Sequence, residues 1–183
     1  CRTCDEQSST SWFKDSVSLN ETTTALQILR PKGIFEQYME HIDYVEQIYF
    51  AGGEPLMSPH TWRLLDWLKE SKSKVQFAMN SNLGMDNKTM QKLLTATKGI
   101  ENFHLYTSNE SFGKQAEYIR DGLDWGQWVG NMDLLLEEGN LKGLHVMCTV
   151  NALCLETLPN FLDWCLDKKA IHGRDFPNFT LNI

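Results

Sequence analysis

Gln47-Ile48-Tyr49-Phe50-Ala51-Gly52-Gly53-Glu54-Pro55 is an apolar run that breaks into two glycines, an acid and a proline. Ile48 to Ala51 are continuously apolar, the pattern of a strand covered on both faces in a parallel α/β sheet. Gly52 and Gly53 remove two side chains where that strand ends, so a ligand can approach the backbone and unusual φ/ψ values become accessible. Glu54 supplies an acceptor at this edge, and Pro55 stiffens the turn that carries it. Ser58-Pro59 follows, an N-cap with proline at the first helical position, and predicts a helix immediately afterwards. Strand, glycine ledge and helix in succession place a ligand site at the carboxyl end of a sheet.

Downstream the chain alternates between two periods. Trp62, Leu65 and Leu68 give Pro59–Glu70 an apolar helical stripe, and Lys74–Leu83 reads as a strand with Val75, Phe77 and Met79 on one face, ending in Asn80-Ser81-Asn82. Asp86 caps a helix carrying Met90, Leu93 and Leu94, which Gly99 stops. Phe103, Leu105 and Thr107 alternate with His104, Tyr106 and Ser108 in another strand. Trp125, Trp128, Val129, Met132, Leu135 and Leu136 define an amphipathic helix closed by Gly139. Leu144–Asn151 is the next strand, Leu158, Phe161, Leu162, Cys165 and Leu166 stripe the next helix, and Phe179–Ile183 opens a further strand. Upstream, Phe35, Met39 and Ile42 suggest a covering helix in Gly33–Glu46, whereas residues 13–33 read as loop or weak helix. This βα alternation implies an α/β fold with a parallel sheet, either doubly wound or a barrel.

The 183 residues suit one domain with a sizeable core. A hydrophobic fraction of 42% and a charged fraction of 22% are those of a globular chain. The net charge of -7, with both signs interspersed, argues against a nucleic-acid or anionic-membrane surface. No apolar run approaches the roughly 20 residues of a spanning helix. Five cysteines at these spacings do not make a disulfide framework and favour a reducing, cytoplasmic setting. Because the chain opens on Cys1 and closes in a strand pattern, it reads as a core domain cut at both ends. A sheet without its first strand would expose an edge.

The strand ends collect Gly52, Gly53, Glu54, Pro55, Ser81, Asn82, Ser108 and Asn151, small or polar groups with no catalytic base among them. They suit recognition of a polar small molecule. There is no Ser/His/Asp order, no HExxH and no GxGxxG. Cys1-Arg2-Thr3-Cys4 is by itself a redox pair, half a zinc site or part of an iron–sulfur site. Cys148 and Cys165 read as core, Cys154 as either core or ligand. His104 and His145 alternate onto the interior face as structural residues. Trp12 reads as a packing anchor, and the tryptophans of the 124–138 helix as core or interface.

Taken together, Cys1-Arg2-Thr3-Cys4 and Gly52-Gly53-Glu54-Pro55 resemble the radical S-adenosylmethionine (SAM) family, in particular its members with a twitch or SPASM-type C-terminal extension. Cys1 and Cys4 match the last two cysteines of the family's C-x3-C-x2-C loop, whose first cysteine would lie before Cys1. The Gly-Gly-Glu-Pro segment matches letter for letter. The resemblance implies a partial (β/α)6 TIM-like barrel, with Cys1 and Cys4 among three thiolates that hold a [4Fe-4S] cluster and leave one iron open. It implies SAM at Gly52, Gly53, Glu54 and Pro55, with Ser81-Asn82 and Ser108 at neighbouring strand ends. It also implies that Arg120, in Gln115–Gly122, pairs with the SAM carboxylate, and that Asn151 faces the ribose or carboxylate. The implied activity is reductive cleavage of SAM to a 5′-deoxyadenosyl radical that abstracts hydrogen from a substrate, for instance a peptide, with electrons from a flavodoxin or ferredoxin. A barrel without a cluster serving as a binding protein, and a zinc or redox CxxC protein, are the competing readings.

Overall fold

The computed structural model describes residues 39–51, 53–71, 74–175 and 177–182. The chain divides at Val45 into two units, Cys1–Val45 and Glu46–Ile183. In the described part of the first, Met39 and Glu40 are helical and Ile42–Tyr44 form a 3-10 turn. The rest of the helix expected in Gly33–Glu46, like the loop expected over 13–33, lies outside the described residues.

The second unit is a parallel sheet with helices between its strands. Its strands are β1 (Gln47–Phe50), β2 (Gln76–Asn80), β3 (Phe103–Ser108), β4 (Gly143–Thr149) and β5 (Asn178–Asn182). Its helices are α1 (Pro59–Ser71), α2 (Asn87–Thr97), α3 (Lys114–Ile119), α4 (Trp125–Glu138) and α5 (Leu158–His172). The strand order is β1-β2-β3-β4-β5 and every pair is parallel. Right-handed crossovers that always step in one direction leave every helix on the same face. A doubly wound sheet instead reverses its strand order at a switch point. Consecutive order therefore selects the barrel-like alternative: an unclosed, singly wound α/β sheet, as in a partial (β/α)6 TIM-like barrel.

Register separates the two faces cleanly. Phe77 lies beside Phe103, Leu105 beside Leu144, Val146 beside Phe179, all on the helix side. Phe77, Met79, Phe103, Leu105, Leu144, Val146 and Cys148 are fully buried there against Leu65, Met90, Leu93, Met132 and other helical side chains of the core. Each such large side chain contributes about 1.5–3 kcal/mol by leaving water, so this face holds the fold. Phe77 stacks on Phe103 (centroids 5.6 Å apart) and meets Phe50 edge-on. The opposite face carries Tyr49, Asn80, His104, Tyr106, Ser108, His145 and Thr180, a polar and aromatic surface left at least partly open.

Several local expectations shift in tertiary context. β1 is an edge strand of the described sheet whose residues alternate between exposed and half-buried, Tyr49 being 48% exposed, so the apolar run is not covered on both faces. It is β2, with Phe77, Ala78 and Met79 all buried, that has this property. On α1 the buried stripe is Thr61, Leu64, Leu65 and Leu68, while Trp62 is half-buried, donating from Nε1 to the Leu56 carbonyl at 3.0 Å under the ammonium of Lys92. On α4, Asn131 joins the buried side in place of Val129. On α5 only Phe161 and Cys165 are buried, and Leu166 is 62% exposed. That helix packs behind β5, the other edge of the described sheet, where there is less surface to cover it.

Candidate functional site

Four consecutive loops leave the carboxyl ends of β1 to β4. After β1, Gly53 has φ +56, a conformation that favours glycine, and a Cβ there would meet nothing within 4 Å. The turn sets Glu54 as the N-cap of a 3-10 turn over Pro55–Met57. One carboxylate oxygen of Glu54 accepts from the Leu56 N–H at 3.2 Å, and the other accepts from the Asn82 N–H, beyond β2, at 2.8 Å. The glutamate is therefore more than an acceptor waiting at an edge: it ties two neighbouring strand ends together. A carboxylate offers about four lone-pair sites, so this bridge leaves acceptor capacity for a ligand.

Ser81 is buried, and its hydroxyl accepts from the Leu83 N–H at 3.1 Å. It closes the turn. Asn82 is exposed and its Oδ1 accepts from the Gly84 N–H at 2.8 Å. Leu83 is a buried non-glycine residue with φ +53, a conformation that costs of order 1 kcal/mol and persists where its surroundings over-determine it. Asn131 of α4 does so, its amide nitrogen donating to the carbonyls of Leu83 (2.9 Å) and Met85 (2.8 Å). Strained backbone of this kind clusters at ligand sites.

Ser108 ends β3 half-buried, and the polar residues that matter most come just after it. Asn109 is fully buried; its oxygen accepts from the Ser111 N–H at 3.3 Å, but its amide nitrogen has no partner among the described residues. Glu110 is 2% exposed and accepts from Nε of Arg120 at 2.6 Å. The Ser111 hydroxyl bonds to that of Thr157, which precedes α5. Arg120 sits at the carboxyl end of α3, brought back to the β3 loop by this ion pair. Past β4, the Asn151 side chain donates to the Thr149 carbonyl (3.1 Å) and accepts from the Leu153 N–H (2.9 Å). Its amide is thus committed to its own turn.

The fold brings Glu54 and Asn82 into direct contact and places Ser108, Asn109, Glu110 and Arg120 on one loop system. Ser81 and Asn151 serve as local caps. Gly52, Cys1 and Cys4 lie outside the described residues. Among the described residues no group of three or more His, Cys, Asp or Glu side chains is gathered for a metal ion. Glu110 and Asn109 were missed from sequence because strand-end reading stops where alternation stops, at Ser108; the polar triplet Asn109-Glu110-Ser111 was the available signal.

Cys148, Cys154 and Cys165 are free and buried. Cys154 bonds to the backbone of Asn151 through its sulfur and reads as part of that turn. Burial pushes the thiols of Cys148 and Cys165 up to about 12. Both are expected to resist iodoacetamide in the native protein at pH 8 and to react once it is denatured, as mass spectrometry of digests would read. A raised folded value means the associated stability is fully present below the unfolded thiol value of about 8.5 and is lost as pH rises through about 12.

No family model matches the sequence, and no curated protein sequence matches it. Among solved structures, that of SuiB from Streptococcus suis is similar, with a TM-score of 0.62 at 16% identity over 86% of this chain and 34% of that one. The likeness is one of fold. This chain spans about a third of the SuiB chain's length. Among the described residues no helix is long and apolar enough to cross a membrane.

Proposed function

We propose that this chain is the core of a radical SAM enzyme, with the SAM amino-acid head at the loops after β1, β2 and β3. The observation that carries the reading is the Gly53-Glu54-Pro55 turn at a strand's carboxyl end, with the Glu54 carboxylate bridging to the backbone N–H of Asn82 just beyond the next strand. The singly wound sheet is the architecture this reading requires, and the likeness to SuiB supports that architecture.

The residues present suit a zwitterionic head group. An ammonium needs acceptors close to backbone that permits approach, and Glu54 beside Gly53 offers them. A carboxylate needs a fixed cation, and Arg120 is held through Nε, which leaves the terminal nitrogens of its guanidinium for a second, forked contact. The Asn109 amide nitrogen, without a partner among the described residues, is a buried donor on the same loop, and an unmet donor of this kind costs about 1–3 kcal/mol. Cys1 and Cys4, with a third thiolate, would hold the [4Fe-4S] cluster. When bound, the reduced cluster and SAM supply a carbon radical that removes a hydrogen atom from substrate. The protein positions the head group and keeps water from it. A peptide substrate and a flavodoxin or ferredoxin donor belong to the same proposal.

The test is anaerobic reconstitution with iron and sulfide, followed by electron paramagnetic resonance of the reduced protein with and without SAM. A cubane signal that shifts on adding SAM is the expected result. Glu54→Ala should weaken the SAM-induced shift at least tenfold in SAM concentration. A protein that assembles no cluster, or one indifferent to SAM, would overturn the reading in favour of a binding barrel.

A further inference from the structure

The open face of the sheet carries a pair of histidines that the cofactor reading does not use. His104 Nδ1 and His145 Nε2 lie 3.2 Å apart. Their ring centroids are 5.5 Å apart with planes 21° from parallel. That separation exceeds the N···N distance by about two ring radii, so the rings are not stacked: they lie edge to edge in nearly one plane, nitrogen facing nitrogen. A metal bound by both, at about 2.0–2.1 Å from each, would push head-on nitrogens to about 4 Å. The shorter contact is that of one shared proton.

The neighbours set its direction. His104 Nε2 lies 3.2 Å from the Asn102 amide oxygen, an acceptor, so that nitrogen carries the hydrogen. His104 Nδ1 is then the bare acceptor, and His145 Nε2–H donates to it. This leaves Nδ1 of His145 as the terminal lone pair, with no hydrogen bond to it among the described residues. Tyr106 stacks on the His145 ring at 4.4 Å and Tyr49 meets Tyr106 edge-on. Directly opposite His104 on β4 is Gly143, where a Cβ would sit 2.6 Å from His145 Nε2 and 2.8 Å from His104 Nδ1. The glycine makes room for the pair.

We propose that His104 and His145 form a neutral, proton-sharing pair that presents His145 Nδ1 on the open face of the sheet as acceptor for a substrate N–H or O–H. When the proton itself moves, it passes from the donor to His145 Nδ1 while the Nε2 proton passes to His104 Nδ1. The pair then carries the positive charge, the donor the negative one, and no electrons change hands. Hydrogen-atom abstraction needs no base, so this acid–base function is additional to the cofactor reading and stands independently of it.

Electrostatics favour the neutral state. Burial and the charge of Lys142 hold His104 below the ordinary imidazole value, and burial and His104 do the same for His145. The other groups around the pair are Asn102, Tyr106 and Tyr49, with Ala78 beside His104 and Asn178 beside His145 in register. Above about pH 6.5 the rings are neutral folded and unfolded alike. As pH falls through their depressed folded values, the unfolded chain binds protons that the folded pair refuses, and stability is lost.

The experiment is long-range proton–nitrogen NMR on 15N-histidine-labelled protein without SAM, so that it reads the pair whatever the cofactor does. Both rings are expected as Nε2–H tautomers that titrate together below the ordinary value. N-methylacetamide, a peptide N–H donor without an ionisable group, should shift His145 Nδ1. Gly143→Ala should abolish the joint titration and that response while far-UV circular dichroism stays native. Should that variant fail to fold, His145→Gln should leave His104 titrating alone. An Nδ1–H tautomer on either ring, independent titrations, or no response to N-methylacetamide would each overturn the proposal.

Discussion

Replacing Arg120 with methionine is expected to destabilise the protein by about 3 kcal/mol, the low end of the range for breaking a buried pair from one side. The reason is the partner left behind. Glu110 is 2% exposed and its carboxylate accepts from Arg120 Nε, whereas Arg120 itself is 20% exposed. Without the guanidinium a charge remains in a place that water barely reaches. Adding Glu110→Gln to Arg120→Met should recover most of the loss, because a neutral amide is less costly to bury than an unpaired carboxylate. Urea melts followed by circular dichroism would measure both, and an Arg120→Met midpoint equal to that of the parent would sink the argument. The double variant also separates two roles for Arg120. If the guanidinium holds the SAM carboxylate, the folded double variant assembles its cluster but loses the SAM-induced shift of the resonance signal. If the arginine only neutralises Glu110, that shift survives.

Trp128→Ala should cost about 3–5 kcal/mol, the range for deleting a large buried aromatic. Trp128 is fully buried on α4, its Nε1–H donates to the Thr107 hydroxyl of β3 at 3.2 Å, and its ring meets Trp125, Phe161 and Trp164. It joins sheet, α4 and α5 through one side chain. Trp128→Phe should restore most of the packing and lose about 1 kcal/mol for the missing hydrogen bond. Thermal melts of the two variants would differ by several degrees on this account. Equal melting points would mean that the cluster repacks around the gap and that the ring's position is not specific.

The helix–sheet alternation was legible because it rests on local periodicity. Met90, Leu93 and Leu94 mark α2 and Asp86 caps it, its carboxylate accepting from the Thr89 N–H at 2.8 Å. Phe103, Leu105 and Thr107 are buried while His104, Tyr106 and Ser108 are half-open, which is the alternation the residues spell. Leu166 was misjudged because a stripe says which way a side chain points and nothing about whether a neighbour lies there. The same limit hid Glu110, whose burial comes from Arg120 returning ten residues later in the chain.

The sequence by itself determined the βα alternation, the glycine turn after the first described strand, and which residues of each strand share a face, since these follow from φ/ψ preferences and a side-chain period of two. Only the tertiary structure decided the rest. Consecutive strand order made the sheet singly wound, and with it one face apolar under helices and the other polar and open. Parallel register set Gly143 opposite His104 and Tyr106 opposite His145, turning two histidines 41 residues apart into one hydrogen-bonded pair. Glu54 and Asn82 met for the same reason, across 28 residues of chain. Contacts between distant residues depend on how the strands are ordered and aligned, and no local pattern in the chain encodes that alignment.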